Sequence, residues 1–193
     1  KTTESPSASP SDAVWMTWPV RLSLISLTGT LALLSICFMQ SRRLSQLLSR
    51  SALVPQLLLN RTQQLARGMR LSGCPEVRVI EGLATPSLSL YRRRATIMLP
   101  RHLLDELDDE QWSCILSHEL AHFARRDGWF NVTATGILYL FWWNPVAWWA
   151  WREMRACQEA SCDALALARM PASRRLYAET LLHVVESLNR PTL

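Results

Sequence analysis

The chain has 193 residues, 49% of them hydrophobic and only 19% charged, with a formal net charge of +5. Ample apolar surface excludes a mainly disordered protein, and the length excludes a large multidomain machine; it suits one compact domain with an appendage. The cationic side is almost wholly Arg, much of it beside apolar segments, which points to a membrane surface; no interleaved aromatic and basic motif indicates direct nucleic-acid binding.

Residues 1–13 are Ser, Thr and Pro with little else and read as a disordered, solvated tail. Residues 22–41 carry no charge, and Leu22 to Met39 is long enough to cross a bilayer core as a helix. Trp15 and Trp18 precede this run, where an aromatic belt would lie. We therefore assign 14–40 to a transmembrane helix. Arg42, Arg43, Arg50, Arg61, Arg67 and Arg70 follow it and only Lys1 and Arg21 precede it, so the part after the span is expected to face the cytoplasm. Residues 41–74 read as amphipathic linker helices interrupted near Pro55, with Leu44, Leu47 and Leu48, then Leu57, Leu58 and Leu65, at helical spacing. Such helices either lie on the lipid surface or pack on the domain, and the spacing is the same for both.

Between 77 and 99 the period changes to alternation, predicting two or three short strands with Arg92-Arg93-Arg94 near a hairpin turn. Asp108 or Asp109 then caps a helix running to about Arg125. Residues 128–151 are again free of charge and hold six of the nine tryptophans, interrupted by Asn144-Pro145. Further helices are expected from about Trp151 to Arg169 and, beyond Pro171, from about Ser173 to Leu188. The five cysteines contain no CxxC pair and fit free, buried thiols in a reducing compartment. The chain opens on Lys1, not Met, and has no signal-peptide n-region, so it reads as a segment of a longer protein.

The sharpest chemical signal is His118-Glu119-Leu120-Ala121-His122. Positions i and i+4 share one helix face, so both imidazoles can reach one Zn²⁺, and Glu119 can hold a water beside it as general base. By chance the pattern is expected in about 0.4% of chains of this composition, which argues for a real metal site. A catalytic zinc takes a third protein ligand. His102 and His183 are open to that role, but Glu159 is better placed, on the next polar-faced helix. Asp163 lies four residues on, on the same face, where it could accept the second N–H of a ligating His. The alternative for Glu159 is a solvated ion pair with Arg155. Cys157 and Cys162 lie about 140° apart around the helix, so they cannot both face one ion, and buried thiols are the simpler reading.

These motifs, with Arg125-Arg126-Asp127, Trp143-Asn144-Pro145, Arg155-Ala156-Cys157-Gln158-Glu159 and Cys162-Asp163, resemble the integral-membrane zinc peptidases of the BlaR/MecR type, signal transducers that act as antirepressors. The resemblance covers roughly 40–190 and takes in Ile97-Met98-Leu99-Pro100, Arg175, Tyr177 and Ala178. It implies an α+β, mainly helical, gluzincin-like metalloprotease domain at 75–193 with a small sheet, preceded by the transmembrane helix. It implies one zinc per chain held by His118, His122 and Glu159, with Glu119 as base and Asp163 closing the second motif. An edge strand of the sheet would bind an extended peptide.

Chelation also constrains topology. His118, His122 and Glu159 flank 128–151, so that block cannot cross the membrane once; it must return, as a re-entrant or interfacial hairpin turning near Asn144-Pro145. Tyr177 and His183, on the last helix, are candidates to stabilise the oxyanion. The expected function is a membrane-anchored zinc endopeptidase of regulated signalling, its site facing the cytoplasm. By resemblance it cleaves itself or a transcriptional repressor. The alternatives are a signalling scaffold with a structural zinc site, which has no need of Glu119, and a housekeeping membrane zinc protease.

Overall fold

The computed structural model describes residues 10–52, 54–91, 94–169 and 174–188. The expectations for residues 1–9, for Arg92-Arg93 and for Pro171 lie outside the described residues, as does the side chain of Trp15. Within them the chain is mainly helical with one small sheet, the fold class the motifs imply.

Helix α1 (Pro10–Ser49) is a single 40-residue helix. It starts inside the segment read as a tail and runs past the expected end of the span, because Gly29 is followed by no glycine or proline until Pro55. At 1.5 Å per residue it is about 60 Å long, twice a bilayer core of about 30 Å. Residues 18–49 are long and apolar enough to cross a membrane, and no residue of the most apolar window within them is buried in the chain.

Helix α2 (Gln56–Gly68) begins at Pro55 and buries Leu58, Thr62 and Ala66, one residue per turn. That stripe joins the main core, and Arg61 Nε donates to Ser113 Oγ at 2.7 Å on α3 (Asp109–Arg125). This amphipathic helix therefore packs on the domain.

Strands β1 (Glu76–Ile80), β2 (Ser87–Tyr91) and β3 (Arg94–Pro100) form one sheet in the order β1-β3-β2. β3 lies in the middle, parallel to β1 and antiparallel to β2, with Val77 and Leu88 both opposite Ile97. An isolated bridge from Ala52 to Val79 touches β1 from outside, so β2 is the strand with the freer edge.

Helix α3 is the centre of the fold. Asp108 caps it with a reciprocal pair of bonds: Gln111 N–H donates to Asp108 Oδ1 at 2.8 Å, and Asp108 N–H donates to Gln111 Oε1 at 3.0 Å. Trp112, Ile115, Leu116, Leu120 and Ala121 are buried among Ile97, Leu99, Leu103 and Val184. Arg126 ends the helix in the left-handed region, φ 59°, with its N–H on the His122 and Phe123 carbonyls. This sharp reversal launches α4 (Asp127–Leu140).

A short turn joins α4 to α5 (Pro145–Arg169), and α6 (Arg174–Leu188) follows. The tryptophan-rich block is thus a helical hairpin turning at Asn144. No helix boundary falls at Trp151: from Pro145 onward nothing in the sequence stops the helix, so it runs 25 residues without interruption. Helix α6 packs Tyr177 and Val184 inward toward α3 and α5.

Candidate metal centre

Two helices meet at the H-E-x-x-H. Helix α3 presents His118 and His122 on one face, the rings nearly perpendicular at 80° with centroids 4.9 Å apart. Helix α5 brings Glu159 alongside. His118 Nε2 and His122 Nε2 lie 3.3 Å apart, and Glu159 Oε2 is 3.4 Å from the first and 3.6 Å from the second. Glu159 Oε1 faces the other way, 3.8 Å from Arg155 Nη2, so the ion pair and the ligand position coexist on one carboxylate.

The outer nitrogens decide what those Nε2 atoms are. His122 Nδ1 lies 2.9 Å from Asp127 Oδ2, and Asp127 is almost fully buried. His118 Nδ1 lies 3.0 Å from Asp163 Oδ1 and 2.9 Å from the Tyr177 hydroxyl, which itself donates to Asp163 at 2.8 Å. A carboxylate accepts only, so each Nδ1 carries the proton and each Nε2 carries a lone pair. Two imidazole lone pairs and a carboxylate oxygen therefore point at one spot. Such a cluster repels itself unless a proton or a cation fills it, and the donor set is the one a divalent metal takes.

Charge says the same. Burial opposes protonation of His122, but its contacts with Cys162, Glu159 and Asp127 outweigh that and lift its pKa to about 11. His118 is also raised: burial works against it, and Glu159 and the Glu119 charge overcome it. The hydrogen bonds from the two imidazoles hold Glu159 far below the usual carboxylate range. The surplus of carboxylates calls for positive charge at the Nε2 atoms.

Glu119 lies on the same helix, one residue from His118, and is 5% exposed. Burial pushes its carboxyl up, against the pull of the two histidines and of a hydrogen bond from the Leu88 backbone on β2. The cluster opens into a cleft of about 290 Å³ bordered by Ser87 and Leu88 of β2, Asn131 of α4 and Arg155 of α5.

The other expected site residues fall elsewhere. Tyr177 is 3% exposed, does not line the cleft, and spends its hydroxyl on His118 and Asp163, so it holds a histidine instead of meeting an oxyanion. His183 is also outside the cleft, 3.6 Å from Glu106 Oε2, and His102 sits in the exposed 3-10 turn (Arg101–Leu104). The cysteines are not uniformly buried: Cys114 and Cys162 are, while Cys37, Cys74 and Cys157 are exposed. Cys162 is not in apolar surroundings either. Its Sγ is 3.2 Å from His122 Nδ1 and donates to Asp127 Oδ2 at 3.3 Å, and burial raises its pKa, keeping it a neutral thiol.

His122, Asp127 and Cys162 form a second group close enough to share an ion. His122 and Asp127 line the cleft, but Cys162 is fully buried and does not. Sequence reasoning missed Asp127, Asn131 and Leu88 as site residues. Only Asp127 left a signal, an acidic residue directly after the Arg125-Arg126 that ends the helix carrying the H-E-x-x-H.

Residues 2–192 match the model of the BlaR1 peptidase M56 family. The chain belongs to this family. It is also 32% identical over 90 residues to the regulatory protein BlaR1 of Bacillus licheniformis, a match covering 46% of this chain and 15% of that protein. The chain thus spans a small part of that relative's length. Membership makes it metallopeptidase-like, and the long apolar α1 fits an association with a membrane.

Proposed function

We propose that the chain is a membrane-anchored zinc endopeptidase that hydrolyses peptide bonds of a protein substrate in regulated signalling, from a site facing the cytoplasm. The observation that carries this reading is the convergence of two imidazole lone pairs and the Glu159 carboxylate beside a buried Glu119, at the floor of an open cleft. A purely structural metal site has no use for that fourth, non-ligating carboxyl group. His118, His122 and Glu159 would hold one zinc ion, whose chemistry when bound is Lewis acidity that brings water towards a pKa of about 7.

The chain's own groups supply the rest. Glu119 takes a proton from the attacking water and delivers it to the leaving amine. Its Leu88 hydrogen bond fixes it relative to β2, whose free edge borders the cleft and can pair with an extended peptide. Asn131 Oδ1 is buried in the cleft wall without a partner among the described residues, suited to a substrate N–H. Asp127, and Asp163 with Tyr177, hold the two histidines in the ligating tautomer. The substrate is the chain itself or a transcriptional repressor, in keeping with the family.

Two expected outcomes test this. A peptide library incubated with detergent-purified protein should be cleaved, cleavage should stop on chelation, and added zinc should restore it. A chelator-insensitive cleavage, or none with zinc bound, would overturn the proposal. Asp127→Asn weakens the acceptor that orients His122, so zinc affinity should fall about 10- to 100-fold in a competition titration with a chromophoric chelator. An unchanged affinity would remove Asp127 from the site.

A further inference from the structure

We propose that the α4–α5 hairpin is a re-entrant membrane element, its tip at mid-depth of the bilayer and seated against α1 through Gly29 and Trp142. This rests on α1 being the span and is independent of catalysis.

The hairpin has a surface unsuited to water. Residues 128–151 carry no charge, and Trp129, Phe130, Ile137, Leu140, Phe141 and Trp143 are among its exposed side chains. A patch of this extent needs an apolar occupant. Continuity with α1 identifies it as lipid hydrocarbon. The two surfaces touch at the middle of the apolar run: Trp142 Nε1 donates to the Ser26 carbonyl at 3.4 Å, and Thr30 Oγ1 donates to the Tyr139 carbonyl at 3.4 Å. Between them a Cβ on Gly29 would overlap the Trp142 indole, so only glycine allows this approach.

The lengths agree. Gly29 is ten residues, about 15 Å, from Met39 at the domain end of the apolar run, half of a core of about 30 Å. Helix α4 rises about 20 Å from Asp127 at the metal centre to Leu140. Helix α5 descends about 10 Å before its first charge, Arg152, whose long side chain can reach back to the headgroups, and returns to centre level at Glu159. An interfacial helix pair lying flat would not bring Tyr139 and Trp142 to the middle of the span.

The turn is also built for a place without water. Phe141 N–H bonds to the Ile137 carbonyl at 2.9 Å and Asn144 N–H to the Phe141 carbonyl at 2.9 Å. Trp148 Nε1 caps the Trp142 carbonyl at 2.7 Å, and Asn144 Oδ1 accepts from Val146 N–H at 2.9 Å. These bonds satisfy backbone groups of the turn that hydrocarbon could not. The joint links the span to both Asp127 and Glu159, the two ends of the hairpin at the metal centre.

The test is depth. The full chain, with exposed Cys37, Cys74 and Cys157 changed to Ser, is spin-labelled at Leu140→Cys or Val146→Cys and reconstituted into phosphatidylcholine–phosphatidylglycerol vesicles. Collision rates with oxygen and with a water-soluble nickel chelate report depth. Both labels are expected to favour oxygen and to match a label at Leu31→Cys on α1 within a few ångströms. Nickel exceeding oxygen, or a depth at the headgroups, would overturn the re-entrant placement. Gly29→Leu, in the Leu140→Cys background, is expected to raise nickel accessibility at the tip; no change would overturn the Gly29–Trp142 joint. Zinc content read on the same samples keeps a failure of the metal centre separate from a failure of insertion.

Discussion

Glu119→Gln is expected to reduce peptide hydrolysis by about 10²- to 10⁴-fold while leaving zinc content at the wild-type level. The substitution preserves shape and removes only the ability to accept a proton. Glu119 lies outside the converging donor group, whose atoms belong to His118, His122 and Glu159. The same change should not destabilise the protein. Burial already pushes the Glu119 carboxyl up, which means that its charged form is costly where it sits. A neutral amide avoids that cost, so the thermal midpoint should be equal or higher, the usual trade between activity and stability at a buried base. Single-turnover cleavage assays beside differential scanning measurements check both halves. Loss of zinc together with activity would show that Glu119 is part of the coordination.

Glu159→Ala should have the opposite signature, losing metal first and activity as a consequence. Four-ligand zinc sites bind with about 10–16 kcal/mol, or about 3 kcal/mol per ligand, so one lost ligand is about two orders of magnitude in affinity. Elemental analysis after dialysis against a weak chelator should find zinc depleted. Glu159→Gln, which leaves a neutral oxygen, should fall between. Retained zinc in Glu159→Ala would point to the group of His122, Asp127 and Cys162 instead.

What could be read in the sequence was mostly local. The i, i+4 histidines, the Asp108 cap and the charge-free runs are short-range patterns, and each is visible in the structure as a helix face, a capping box and an apolar surface. The sheet order β1-β3-β2 was not legible, because alternation marks strands without naming neighbours. Asp127 was overlooked for a specific reason. Its approach to His122 depends on Arg126 adopting φ 59°, a conformation that a non-glycine residue does not announce. Tyr177 was placed on the correct helix but given the wrong neighbour. Whether a tyrosine meets a substrate or a histidine depends on tertiary contacts with α3 and α5, 59 and 14 residues away from it in the chain. The boundary expected at Trp151 failed because polarity changes there while helix-forming tendency does not.

The identity of the ligands is tested most directly by zinc K-edge absorption fine structure on the zinc-loaded, detergent-purified protein. A shell of nitrogen and oxygen at about 2.0–2.1 Å is expected, with the outer scattering of two imidazoles and no sulfur. A sulfur shell at about 2.3 Å would contradict this ligand set, placing the metal on Cys162 with His122 and Asp127 instead of on Glu159.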